Sequence, residues 1–298
     1  MNTLLLLPLL ITLVSGRTIS YKGIEEEDQV IETQVIQEHY SYATDRLNQK
    51  KLPLDQISYH GPFTGQGVTV YVIDTGMSQN TFYNFTCGYN FIGHPCDCSS
   101  TNDHGTHVGS LVGSKLFGMA PESSIVNLKV LDNAGQGLLS TVLDALDYLL
   151  KQNVTCSIIN LSLGALKSAS FNGKIEELVD NGNHVIVAAG NAGKDACDYS
   201  PASAPKAITV GSIDSNDDRT YFSNHGKCVD VYSPGLMVPG AIGGSTVGVL
   251  SGTSMSSPLV AGLLAIEIER DGCNASLRKF KNKRKYKRGN RIKIPYFR

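Results

Sequence analysis

Five apolar runs, separated by segments with helical patterning, restrict the fold of this chain more than any other feature. They are residues 68–73, 124–131, 157–163, 184–189 and 206–210. Each is nearly continuous in Val, Ile, Leu and Ala, as expected of a strand buried on both faces. Between the second and third, Leu139, Val142, Leu143, Leu146, Leu149 and Leu150 recur at helical spacing and predict a helix within 138–153. Residues 168–181 predict another, closing at Gly182. Strands alternating with helices argue for a parallel sheet covered on both sides. In such sheets the working residues gather beyond the carboxyl ends of the strands. Asp74 and Asn191 lie there, where strands give way to glycine-bearing loops. With 298 residues, 41% hydrophobic and 18% charged, the chain can bury the core this arrangement needs.

The stretch SGTSMSSP, residues 251–258, leads into the apolar run LVAGLLA. Proline suits a first helical turn, so the pattern predicts a tight loop feeding a helix, with Ser254 at the junction. A serine there is commonly a cap. It can also be a nucleophile whose oxyanion is stabilised by helix N-terminal N–H groups. A hydroxyl attacks an amide only if an imidazole takes its proton and a carboxylate orients that imidazole. The chain offers Asp74 at a strand end and His104, in NDHGTHVG, at a predicted helix start. Each also has a structural reading, Asp74 as a turn residue and His104 as a buried histidine.

Taken together, VIDTG around Asp74, HGTHVG at His104, SLGA at Ser162, AAGNAG at Asn191 and SGTSMSSP at Ser254 resemble the subtilisin-like serine proteases. The order Asp, His, Ser is that of subtilisin. Residues 184–265 resemble the proteinase K and cerevisin branch, and the likeness spans roughly 45–268. It implies a three-layer α/β subtilisin-like fold, with a central, mostly parallel β-sheet and helices on both faces. It further implies Ser254 as nucleophile, His104 as general base, Asp74 as its orienting acid, and Asn191 as an oxyanion donor. Gly135, Gln136, Gly137 and Ser162, Leu163, Gly164 match the segments that sandwich an extended peptide. Ala188, Ala189 and Gly190 match the wall of the first side-chain pocket, and Leu139 matches that of the fourth. No acidic residue marks the first pocket, which implies cleavage after apolar residues and not after Lys-Arg. The resemblance also implies a Cys197–Cys228 disulfide, and a calcium site from Pro205, Ala207 and Asp230. No cofactor is required for the chemistry. The alternative is a non-catalytic or truncated subtilisin-fold protein that binds peptides or a partner.

Residues 1–16 read as a secretory signal peptide, with a short apolar core and small residues at its end. Residues 17–44 read as a short acidic pro-segment or arm, 45–270 as the peptidase domain and 271–298 as a basic tail. The seven cysteines fit a secreted chain with one thiol left over, and the sequence leaves the pairing of Cys87, Cys96, Cys98, Cys156 and Cys273 open. Asn84, Asn153 and Asn274 are candidate glycosylation sites; a fourth sequon, at Asn160, falls in a predicted buried strand. A secretory location, extracellular or vacuolar, and a monomeric state follow as expectations.

Charge sharpens the picture of the tail. The net charge is −1, from 26 Lys/Arg against 27 Asp/Glu. Eleven of the basic residues and none of the acidic ones lie in 277–298, leaving 15 against 27 elsewhere, a balance of −12. Like charges at that density repel, so the tail is expected to be disordered and able to touch polyanions. The segment that follows the Ser254 helix in the family is replaced here by this tail, which implies lost burial and lower stability.

Overall fold

A computed structural model describes residues 12–21, 24–30, 41–57, 61–275, 283–285 and 291–296. Most of the expected leader, part of the acidic arm and much of the basic tail lie outside these residues. The chain divides into two units, Met1–Val35 and Ile36–Arg298. Within the first, β1 (Thr12–Tyr21) pairs antiparallel with β2 (Ile24–Val30). This ribbon runs across the boundary expected after residue 16, and gives regular structure to a stretch read as an arm.

The second unit opens with α1 (Tyr42–Asn48), three residues ahead of the expected domain edge. Ala43 and Leu47, one turn apart, enter the main core, and the buried Arg46 meets Asp217 through Nε at 2.5 Å and Nη2 at 3.2 Å. Then follow β3 (Thr69–Asp74), β4 (Thr86–Asn90), α2 (Asp103–Gly113), β5 (Ser124–Lys129) and α3 (Leu139–Lys151). Next come β6 (Ile158–Leu161), β7 (Ala165–Leu166), α4 (Ala169–Asp180), β8 (His184–Ala188) and β9 (Tyr199–Ser200). The unit continues through β10 (Ile208–Ile213), β11 (Val231–Pro234), β12 (Val238–Ala241), β13 (Val247–Leu250) and α5 (Thr253–Asp271). It ends with β14 (Lys283–Lys285) and β15 (Arg291–Lys293).

Seven strands form one parallel sheet in the order β11-β10-β8-β6-β3-β5-β4. Side chains of successive strand residues face opposite ways, and here both faces are apolar. Val70, Val72, Ile158 and Ile186 join Val108 and Leu111 of α2 and Leu259 and Leu263 of α5 in one cluster. Their neighbours Ile73, Ile159, Leu161, Val185 and Val187 join Leu146 and Leu149 of α3 and Ile175 of α4 in the other. The fold is therefore the expected three-layer α/β arrangement.

The chain builds β5 and β4 on one side of β3, then β6, β8, β10 and β11 on the other. The winding direction reverses around β3, and a crevice opens at its carboxyl end. Asp74 is the last residue of β3.

Helix α5 begins at Thr253, which puts Ser254 at the helix start as expected and Pro258 inside the helix. One expectation is corrected: part of the tail is ordered, with β14 paired antiparallel to β15 and Ile294 buried in the main core. Burying an isoleucine contributes about 1.5–3 kcal/mol, which anchors the end of a strongly charged segment. A disulfide from Cys156 to Cys273 also ties the end of α5 to the segment before β6.

Candidate active site

The site is assembled from the ends of elements. Asp74 is fully buried, and its Oδ1 accepts the Thr75 N–H at 2.7 Å and faces His104 Nδ1 at 2.8 Å. A carboxylate can only accept, so Nδ1 carries the proton and Nε2 is left as an acceptor. His104 is the second residue of α2, whose first turn is capped when the Asn102 side chain accepts the His104 N–H at 2.9 Å. Gly105 lets the helix approach this closely: a Cβ there would lie 2.2 Å from the Gly76 carbonyl oxygen.

The negative charge of Asp74 raises the His104 pKa above the usual 6.5, although partial burial works against it. His107, one turn on, is different. It is wholly buried, its Nε2 donates to the Val238 carbonyl at 3.1 Å, and burial pushes its pKa down to about 4. It is a neutral packing residue and does not compete with His104.

Ser254 is half-buried in the first turn of α5. Its hydroxyl donates to the Ser162 carbonyl at 3.1 Å. Asn191 stands opposite, just beyond β8. Its Oδ1 accepts both the Thr253 N–H and the Thr253 hydroxyl, each at 2.9 Å. That fixes the plane of the Asn191 amide and leaves its nitrogen beside Gly252. A Cβ added at Gly252 would lie 3.3 Å from Asn191 Nδ2 and 3.7 Å from the Ser254 nitrogen. Two N–H donors thus border one small space, which a side chain at position 252 would fill.

Two adjoining clefts meet at these residues. One, of about 620 Å³, is lined by His104, Gly135, Gln136, Gly137, Leu139 and the segment 162–165, among others. The other, of about 480 Å³, is lined by Ala188, Ala189, Gly190, Asn191, Ser254 and the same segment 162–165. All ten residues expected to bind substrate therefore lie on one continuous groove, with His104 in one half and Ser254 in the other. Sequence reasoning missed Thr253, although it stands inside the SGTSMSSP motif, and Lys129. The buried Lys129 ammonium donates to the Thr75 carbonyl and, at 3.0 Å, to that of Leu131. It pins the backbone next to Asp74 from the neighbouring strand.

Other expected residues lie apart from this groove. Cys197 pairs with Cys228 as the resemblance implied, Cys87 pairs with Cys98, and Cys96 is unpaired and exposed. Asn84, Asn153 and Asn274 are exposed, whereas Asn160 is buried in β6. Asp230 is exposed, and one of its carboxylate oxygens accepts the Thr209 N–H at 2.9 Å. Among the described residues, no three or more His, Cys, Asp or Glu side chains gather as metal ligands. Nor is any described helix long and apolar enough to cross a membrane.

Residues 65–277 match the model of the Subtilase family, Peptidase_S8. Alkaline serine exoprotease A of Vibrio alginolyticus is 38% identical over 248 residues, covering 82% of this chain and 46% of that protein. Cerevisin of Saccharomyces cerevisiae is 43% identical over 214 residues, covering 67% of this chain and 34% of cerevisin. The crystal structure of a cold adapted subtilisin-like serine proteinase superposes with a TM-score of 0.80 at 36% identity, covering 86% of this chain and 97% of that one. The chain belongs to the subtilase family. It spans about half the length of the curated relatives it matches.

Proposed function

We propose that this chain is a secreted serine endopeptidase that cleaves peptide bonds through an acyl-enzyme. The observation that carries the reading is the 2.8 Å pairing of His104 Nδ1 with the buried Asp74 carboxylate, on the groove that also holds Ser254 and Asn191. In this reading an extended peptide lies between the segments 135–137 and 162–164 and pairs with their main chain. Ser254 Oγ attacks the carbonyl carbon while His104 Nε2 takes its proton. The oxyanion rests between Asn191 Nδ2 and the Ser254 N–H. His104 then gives its proton to the leaving amine, the C–N bond breaks, and the acyl group stays on Ser254. Water, deprotonated by the same imidazole, releases the acid and restores the hydroxyl. Asp74 keeps the imidazole in the useful tautomer and stabilises its charged form throughout.

The groove supports an apolar preference. Ala188, Ala189 and Gly190 leave room beside Ser254 without an acidic group, and Leu139 adds an apolar wall on the other side. Peptides with Phe or Leu before the bond should be cut faster than peptides with Lys-Arg there. A Lys-Arg preference would refute this assignment.

A secretory route is supported by the three disulfides, which persist in oxidising compartments. The chain acts as a monomer in this reading, and its basic tail makes contact with polyanions. Calcium has no part in the chemistry. The Pro205 and Ala207 carbonyls and the Asp230 carboxylate would hold it as a structural ion, so chelation should lower the thermal midpoint and leave kcat per active site unchanged. A midpoint indifferent to chelator would remove the ion from the account.

A further inference from the structure

We propose that the Ser162 hydroxyl is a positioning group for the nucleophile, standing in for a helical N–H that Pro258 lacks. The inference rests on the protease reading and adds a role that the main-chain pairing of Ser162 does not include. In an α-helix the carbonyl of one residue accepts the N–H four positions on. For Ser254 that position is Pro258, which has no N–H. A buried carbonyl left without a donor costs free energy. Here the missing donor comes from outside the helix: Ser162 Oγ donates to the Ser254 carbonyl at 3.0 Å.

The donor is itself held in place. A hydroxyl has one proton and two acceptor sites. With that proton committed to Ser254, the Asn160 amide at 3.0 Å and the Ser257 hydroxyl at 2.9 Å both donate into Ser162 Oγ. Asn160 and Ser162 are two residues apart along the end of β6, so both point to one side of the sheet. Ser162 is only 4% exposed, and Asn160 and Ser257 are fully buried. The proton direction is thereby fixed from the sheet, through Ser162, to the helix start.

The bond is also returned. Ser254 Oγ donates to the Ser162 carbonyl at 3.1 Å, so the two serines are tied at both backbone and side chain. The first link fixes the backbone of Ser254, and the second rests its hydroxyl on Ser162 until Oγ turns to give its proton to His104 Nε2. A fixed backbone limits the positions from which Oγ can then reach a substrate carbonyl. Such placement matters to rate, since a displacement of about 1 Å can cost roughly a hundredfold.

The test compares wild type, Ser162→Ala, Ser162→Thr, Pro258→Ala and the Pro258→Ala/Ser162→Ala double variant of the full chain. Active sites are titrated with a fluorophosphonate, and kcat and KM are read on a peptide with Phe before the bond. Ser162→Ala should lower kcat per titrated site about tenfold, the worth of one such hydrogen bond. KM should stay within about twofold, because the main chain that pairs substrate is kept. Ser162→Thr, which retains the hydroxyl, should restore kcat. Pro258→Ala supplies the absent N–H, so on that background the loss from Ser162→Ala should shrink to about twofold. This contrast also serves if Ser162→Ala alone folds poorly, because the double variant keeps a donor for the carbonyl. A Ser162→Ala kcat per titrated site equal to wild type would overturn the proposal, as would an equal loss on both backgrounds. A folded wild type that neither titrates nor hydrolyses overturns the protease reading, and this inference with it.

Discussion

His104 and Asp74 meet at 2.8 Å with unequal exposure: the Asp74 side chain is fully buried, while the His104 side chain keeps 30% of its surface exposed. One face of the imidazole is therefore held by a fixed negative charge and the other is open to the groove. Because Asp74 raises the pKa of His104, the neutral form needed for proton transfer is lost at a higher pH than for a free histidine. The acid limb of kcat/KM is expected above pH 6.5. Asp74→Asn should move that limb down and lower kcat by about four orders of magnitude, through loss of the correct tautomer. A pH–rate series on both proteins checks it.

His107 titrates in the opposite sense. It is buried and neutral, with a pKa pushed down to about 4, so the unfolded chain binds a proton below pH 6.5 that the folded chain refuses. The stability it allows is complete above pH 6.5 and falls as pH drops toward 4. At about 1.4 kcal/mol per pH unit, the loss is on the order of 3 kcal/mol. Denaturant unfolding at pH 7 and pH 4.5 should show it, and a His107→Asn variant should be less sensitive over that window.

The Asn191 amide is fixed in plane by two bonds from Thr253. Asn191→Ala should lower kcat by about two to three orders of magnitude, the cost of losing one such donor in subtilisin. KM should change little, because the donor acts on charge that develops only in the transition state. Steady-state kinetics on one apolar peptide separates the two constants.

Two of the disulfides close loops of very different length. Cys156–Cys273 spans 117 residues and Cys87–Cys98 spans 11. On the loop-entropy model the longer bridge is worth about 4–5 kcal/mol and the shorter one less. Replacing Cys156 and Cys273 by serine should therefore lower the thermal midpoint more than replacing Cys87 and Cys98. Calorimetry on the two double variants gives the order.

Much of the site could be read from sequence because its parts sit at element ends with distinctive neighbours. Asp74, His104, Asn191 and Ser254 each carry a short motif; strand-to-loop transitions placed Asp74 and Asn191 on one edge of the sheet, and helix-start signals placed His104 and Ser254. The helix start at Ser254 was legible, but the donor that replaces the N–H missing at Pro258 was not: it is Ser162, 92 residues before Ser254, a contact no local pattern reveals. Helix α1 was hidden because its apolar face is short: Ala43 and Leu47, one turn apart, enter the core beside the buried Arg46–Asp217 pair. The tail misled by composition, since its charge density masked Ile294, which reaches the core.

The central claim is that Ser254 is a nucleophile activated by His104, and covalent labelling with a fluorophosphonate tests it most directly. The folded wild-type chain should take up one label, on Ser254, at a rate that falls as pH drops through the His104 pKa. Ser254→Ala and His104→Ala should not label on the same timescale. A folded wild-type chain that stays unlabelled, or labelling that survives Ser254→Ala, would contradict the account.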